Sequence, residues 1–241
     1  GLFFYRSGKL SWNAPPILRE VSTMRLLRRR LHQVMDTERP NLLHVHSPVL
    51  NVLPALFAAR KRNVPVAYEI RAFWEDAGVD QGTYKEWGVK YRLVRWLETL
   101  ACQKVDQIFT ICEGLKSDLV KRGISAHKIQ VVPNAIVPED FTPQAKNRSL
   151  AEKWGVTNKF VFGFIGSFYH YEGLDVFVQA AARLAGTGLA FKLLLIGGGE
   201  QKEALERQVR DAGLSDRIIF TGRVPHDQVP DMYSLLDVLV L

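Results

Sequence analysis

The chain has 241 residues, 47% of them hydrophobic and 24% charged, which is ordinary globular usage and excludes disorder along its whole length. No apolar run approaches the about 20 residues that cross a bilayer, and no charged-then-apolar leader opens the sequence, so nothing reads as a membrane span or signal segment. The net charge of +7 is uneven, with Arg6, Lys9, Arg19, Arg25, Arg28, Arg29 and Arg30 set against Glu20 alone near the start. Such a run is either a solvated helix face or a surface for anionic lipid head groups or an anionic acceptor. Its aromatic residues do not interleave as a stacking platform needs, so nucleic acid is not an expected partner. Cys102 and Cys112 lack the spacing of a zinc site or a disulfide framework and read as buried free thiols, which fits a reducing cytoplasm.

In chain order, Leu18, Val21, Met24, Leu27, Leu31 and Val34 recur at steps of three and four, which predicts a helix from Ile17 to about Glu38. Pro40 and Asn41 stop it. A short strand follows at Leu42 to Val45, a helix at Leu50 to Arg62, and a strand at Val64 to Ile70. A long helix from Tyr84 to Lys104 leads to a strand at Gln107 to Ile111, a helix to about Arg122 and a strand at Ile129 to Val132. Strands alternating with helices imply parallel pairing through right-handed crossovers, hence a doubly wound α/β domain.

Pro133, Pro138 and Pro143 interrupt a polar stretch to Asn147 that carries neither period, which predicts an interdomain linker and a boundary near 140. The same alternation then restarts. Strands are expected at Phe160 to Ile165, Phe191 to Ile196, Arg217 to Thr221 and Asp237 to Leu241, with helices near Glu172 to Ala185, Glu200 to Ala212 and Pro225 to Leu236. The expectation is two Rossmann-like domains, 1–140 and 141–241. The chain begins at Gly1 without methionine and ends inside the apolar run Val238 to Leu241, so both domains are expected to be incomplete, the first lacking its start and the second its end.

In an open parallel sheet the ligand lies beyond the carboxyl ends of the strands. Three strands of the second domain run into glycine there: Gly166-Ser167, Gly197-Gly198-Gly199 and Gly222-Arg223. Glycine lets backbone N–H groups approach an anion, and the helix that follows adds partial positive charge. The pattern is neither the dinucleotide fingerprint nor a Walker motif. Three glycine ends in one register point to a nucleotide or diphosphate edge, with plain turns as the alternative.

The run Val132-Pro133-Asn134-Ala135, then Phe164-Ile165-Gly166-Ser167 with Tyr171-Glu172-Gly173-Leu174-Asp175, then Leu195-Ile196-Gly197-Gly198-Gly199, then Phe220-Thr221-Gly222-Arg223-Val224 and Tyr233, resembles family 4 glycosyltransferases of the GT-B fold. Upstream, His44-Val45-His46-Ser47-Pro48 and Glu69-Ile70-Arg71-Ala72-Phe73-Trp74-Glu75-Asp76 resemble the subset linked to exopolysaccharide and exosortase-associated gene clusters. The resemblance implies retaining transfer of a sugar from a nucleoside diphosphate donor, held by the C-terminal domain, to a saccharide or lipid-linked acceptor approached by the N-terminal domain. It implies no obligatory metal and no cofactor, so the leaving diphosphate must be stabilised by backbone amides, Arg or Lys. Where many members supply an arginine and a lysine, this sequence has Ser167 and Glu172. The family's acidic pair would lie beyond Leu241.

On that resemblance the donor-binding candidates are Gly166, Ser167, Glu172, Gly198, Gly199, Arg223 and Val224. On the acceptor side His46 and Arg71 are candidate catalytic residues, with Glu69, Glu75, Asp76 and Glu113 beside them. For each, an ordinary role stands as the alternative: a satisfied histidine, an ion pair of Arg71 with Glu75 or Asp76, and a helix-start acid at Glu113. His170 and Tyr171 could stack on a sugar or close a hinge. The expected setting is the cytoplasm, with peripheral docking at the inner face of the membrane through the basic N-terminal part. Two other readings stay open: a sugar-nucleotide epimerase of the same architecture, and a non-catalytic scaffold subunit.

Overall fold

A computed structural model describes residues 3–8 and 15–241; Gly1 and Lys9 lie outside the described residues. The chain divides into two compact units, Gly1–Ala135 and Ile136–Leu241.

Unit 1 contains four parallel strands in spatial order β1-β2-β3-β4: β1 Leu43–His46, β2 Val66–Ile70, β3 Gln107–Thr110 and β4 Ile129–Val131. Its helices are α1 Pro16–Glu38, α2 Val49–Arg60, α3 Trp74–Asp80, α4 Val89–Lys104 and α5 Glu113–Lys121. Successive side chains of a strand alternate between faces. Val66, Tyr68, Ile70, Ile108 and Ile129 accordingly share one face and form a core with Met35 of α1, Val52 and Leu56 of α2, Cys102 of α4 and Leu119 of α5. The opposite face carries His44, His46, Glu69, Phe109 and Gln130, of which both histidines and Gln130 are exposed. The described core of this unit is therefore one-sided, where a doubly wound sheet is expected to carry one on each face.

Two elements depart from the periodicity. The helix expected from Tyr84 begins at Val89, because the segment before it folds back on α3, an element without a sequence signal of its own. The Tyr84 ring fills the space a Cβ at Gly78 would need, its Cδ2 2.6 Å away, and the Tyr84 N–H donates to the Gly78 carbonyl at 2.8 Å. Cys102 is buried as expected, whereas Cys112 is exposed: β3 has ended and the residue caps the N-terminus of α5.

Unit 2 opens with a tight turn, Pro138–Phe141, and contains α6 Arg148–Lys153, β5 Phe160–Ser167, α7 Leu174–Ala185, β6 Phe191–Gly198, α8 Lys202–Asp211, β7 Ile218–Gly222, α9 Val229–Tyr233 and β8 Val238–Leu239. The strands are parallel in the order β7-β6-β5-β8. This sheet has a core on each face. Phe164, Leu193, Leu195 and Ile218 pack on α7 and α8, while Val161, Leu194 and Ile196 pack on α6 and α9. The long helix expected at Pro225 to Leu236 is one tight turn, His226–Gln228, followed by the short α9 with Pro230 in its first turn.

One buried acid marks unit 1. Glu98 of α4 has no exposed surface and accepts the Tyr68 hydroxyl at 2.5 Å, while its Oε2 has no partner. Burial pushes its carboxyl up to about 7. The folded protein then holds a proton that the unfolded chain releases, so this group's contribution to stability is full below about pH 4.5 and fades as pH rises through 7. Glu98→Gln, which keeps the acceptor for Tyr68 and removes the titration, is expected to gain on the parent protein by up to about 3 kcal/mol between pH 5 and 8. Denaturant unfolding at a series of pH values measures it; parallel curves for the two proteins would contradict it.

Candidate functional site

At the carboxyl edge of the unit 2 sheet, β5 and β6 stay paired to their last residues, with Gly166 opposite Gly197 and Ser167 opposite Gly198. Gly197 has φ +133°, and a Cβ there would lie 1.9 Å from the Gly166 carbonyl oxygen. Only glycine lets the strand ends come this close. The next turn is equally tight: a Cβ on Gly199 would meet the Phe168 carbonyl oxygen at 2.6 Å, and that oxygen accepts the Gln201 N–H at 3.1 Å.

The backbone so arranged walls a cleft of about 230 Å³, lined by Gly166, Ser167, Gly197, Gly198, Arg223 and Val224 with Ile165, Ile196 and Val229 behind them. Arg223 follows β7, and its side chain lies over Gly198, with Nε 3.7 Å from the position of a Cβ there. The structure thus brings together five of the seven donor-side candidates, Gly166, Ser167, Gly198, Arg223 and Val224. Gly199 is a packing glycine against Phe168, and Glu172 stands exposed on the turn His170–Glu172 that precedes α7; neither lines the cleft. On the same turn the rings of Tyr169 and Tyr171 stack at 5.4 Å, both exposed. The glycine-rich ends of strands were a sufficient signal for the cleft, and Gly197 belongs to it as well.

The acceptor-side candidates do not all meet. Glu69 of β2 lies 3.4 Å from His46 Nδ1, 3.0 Å from His44 Nε2 and 4.0 Å from Arg71 Nε. Arg71 also donates to Asn134 Oδ1 at 3.0 Å. The alternative pairing of Arg71 with Glu75 or Asp76 is not formed among the described residues: Glu75 is completely buried, with Arg122 Nη1 at 2.6 Å and Arg95 at 3.9 Å, and Asp76 accepts the Tyr91 hydroxyl at 2.8 Å. Glu113 is exposed in the first turn of α5, where an acid suits the positive end of the helix dipole. Sequence reasoning missed His44 and Asn134. The alternation His44-Val45-His46 on a strand could have found the first, since residues two apart share a face.

A family model described as "Glycosyl transferase 4-like domain" matches residues 5–135, and one described as "Glycosyl transferases group 1" matches residues 147–241. The chain belongs to this glycosyltransferase family. It is 31% identical over 204 residues to a 2-deoxystreptamine glucosyltransferase of Streptomyces kanamyceticus, a match that covers 83% of this chain and 52% of that relative. Among solved structures, sucrose-phosphate synthase from Thermosynechococcus elongatus superposes with a TM-score of 0.77 at 17% identity, over 98% of this chain and 58% of that one. Anabaena HepE in complex with UDP-glucose gives 0.69 at 18%, over 89% and 55%. The chain therefore spans little more than half the length of these relatives. The α/β units with their four-stranded parallel sheets are those of the GT-B glycosyltransferase fold.

The close approach at Gly197 yields a direct test. Gly197→Ala is expected to destabilise the protein by about 3 kcal/mol or more, because the methyl group collides with backbone and φ is unfavourable. Gly198→Ala places its methyl 3.6 Å from Arg223 Cγ, an ordinary contact, and is expected to fold like the parent. Thermal melting of the two variants side by side checks the pair.

Proposed function

We propose that the chain acts in a glycosyltransferase that moves a hexosyl group from a nucleoside diphosphate sugar to a saccharide or lipid-linked acceptor, with retention at the anomeric carbon. The observation that carries this reading is the glycine-walled cleft with Arg223 across it. In the reaction, the bond from the anomeric carbon to the diphosphate oxygen breaks and the electron pair leaves with the diphosphate. The acceptor hydroxyl oxygen bonds to the same carbon, and its proton passes to the departing diphosphate. Charge therefore grows on the diphosphate as the bond breaks, and preorganised donors aimed at it lower the barrier. The backbone amide of Ser167 and the guanidinium of Arg223 fill that role, with no metal ion or cofactor required. Arg223 takes the place of the basic residues that Ser167 and Glu172 do not supply. HepE, of like fold, binds UDP-glucose by its description, which supports a nucleotide-sugar donor.

On the acceptor side His46, Glu69 and Arg71 carry the polar contacts, and His46 and Arg71 remain the candidate catalytic pair. Glu75 has no part in the reaction, being enclosed by Arg95 and Arg122. The product is a surface polysaccharide or glycolipid made in the cytoplasm at the inner face of the membrane. Support for the docking comes from Arg19, Arg25, Arg28 and Arg29, which are exposed on α1 together with Leu18. Among the described residues no helix is long and apolar enough to cross a membrane.

Thermal-shift titration with UDP, GDP and ADP tests the donor site, since a ligand that binds only the folded state raises its stability. One nucleotide is expected to raise the melting temperature, and Arg223→Ala to weaken that effect at least tenfold in ligand concentration; no shift with any of them would remove the donor site. Turnover of the corresponding sugar nucleotide only when acceptor is present separates transfer from epimerisation. For the membrane contact, vesicles with anionic lipid are expected to retain the protein at low salt while neutral vesicles do not, and Arg25, Arg28 and Arg29 changed together to Glu should abolish retention.

A further inference from the structure

The exposed face of the unit 1 sheet brings three metal-ligating groups together. A histidine at every second position of a strand puts both imidazoles on one side, and β1 pairs with β2 so that His46 lies opposite Glu69 and His44 opposite the small Ala67. The ligand atoms of His44, His46 and Glu69 all fall within 4.8 Å of one another. Glu69 Oε2 stands 3.0 Å from His44 Nε2 and 3.4 Å from His46 Nδ1. Nitrogen and oxygen ligands about 2.0 to 2.1 Å from a tetrahedral ion stand roughly 3.3 Å apart, so small side-chain adjustments suffice to close the set on a cation.

The surroundings favour the same use. The two histidine rings stack at 4.8 Å, and Phe109 of β3 holds the edge of His44 at 5.8 Å. Arg71 addresses the other carboxylate oxygen, Oε1, at 4.0 Å, which leaves Oε2 toward the imidazoles, and Asn134 holds the far arm of Arg71. A ligating carboxylate that is itself held from outside the set is the usual outer shell of a metal site.

We propose that His44, His46 and Glu69 bind one zinc-class divalent cation, with a fourth position open to water or to an oxygen of a bound ligand. The histidine side chains are 45% and 58% exposed, which leaves that position accessible. Two imidazoles with one carboxylate select zinc, cobalt, nickel or copper over magnesium and calcium, which take oxygen ligands. The site belongs to unit 1 and stands or falls independently of the donor reading, because cation binding is measured without any sugar nucleotide.

The test is a zinc titration of the full chain against a chromophoric chelator, with excess magnesium present. One equivalent is expected for the parent protein. The His44→Ala/His46→Ala double variant should bind none at the same concentrations, and Glu69→Gln should bind at least tenfold more weakly. Cobalt in place of zinc should give the visible absorption of a four-coordinate ion, lost in the same variants. His46→Gln, which alters one exposed ring, serves if the double variant fails to fold, and unchanged melting without metal confirms that it folds. Absence of stoichiometric binding, or binding unchanged in these variants, overturns the site and assigns any zinc to another histidine.

Discussion

In unit 2 the carbonyl oxygen of Gly166 takes the space that a side chain on Gly197 would need, and the shape of the sheet's carboxyl edge follows from that contact. β5 and β6 are eight residues each and remain paired along their whole length, longer than the usual five or six. Their last residues therefore project past the side chains that form the two cores. There the chain crosses back: the Phe168 N–H donates to the Gly198 carbonyl at 3.2 Å, and the Phe168 carbonyl accepts from Gln201 just before α8. Phe168 itself is fully buried, which anchors the crossing in the core shared with α7 and α8. The cleft thus has bare backbone at Gly197, where the Gly166 carbonyl leaves no room for a side chain, and among its lining residues Arg223 is the long polar one.

Unit 1 fixes its own edge by a different means. Phe73 and α3 leave β2, and Glu75 of that helix is buried against Arg122 of the α5 C-terminus, with Arg95 of α4 and Asp118 completing the set. The Arg122 guanidinium also lies 3.8 Å from the Phe73 ring centre, so one side chain joins the aromatic and ionic contacts. Burying such charges is costly unless each is paired, and the removal of one partner would leave the other stranded. The network ties α3, α4 and α5 together around the exit of β2. That exit is where Glu69 and Arg71 stand, so charges withdrawn from solvent position those that remain exposed.

Alternation of strand and helix made the α/β class legible because it reflects local periodicity, and glycine at successive strand ends marked the cleft because a close approach of two strands needs glycine however far apart they lie in the chain. The fate of single charged residues was not. Glu69, Glu75 and Asp76 look equivalent along the chain, yet one stands at an edge, one is buried and one is held by a tyrosine. Arg122, which decides the case of Glu75, lies 47 residues away. The short α3 escaped notice for a related reason: seven residues carry too little periodicity, and its packing on Tyr84 also delayed the start of α4. Gly199 and Glu172 were assigned to the donor edge by their neighbourhood, whereas the turn after β6 uses Gly199 to clear Phe168.

The two edges differ in how their arginines are engaged, and this bears on what each can receive. Arg71 is shared between Glu69 and Asn134, so an incoming anion must compete with a carboxylate 4.0 Å away. At the effective dielectric of a protein surface, a charge pair at that separation is worth up to about 4 kcal/mol before solvation and salt reduce it. Among the described residues Arg223 takes part in none of the ion pairs, and it is an exposed residue whose side chain lies against Gly198. Its interaction energy is uncommitted and available to a phosphate. The unit 1 edge, with a carboxylate and two imidazoles at its centre, is the poorer host for an anion unless a cation occupies it first. On these grounds Arg223 suits the proposed diphosphate site better than Arg71 does, and His44, His46 and Glu69 suit the proposed cation site.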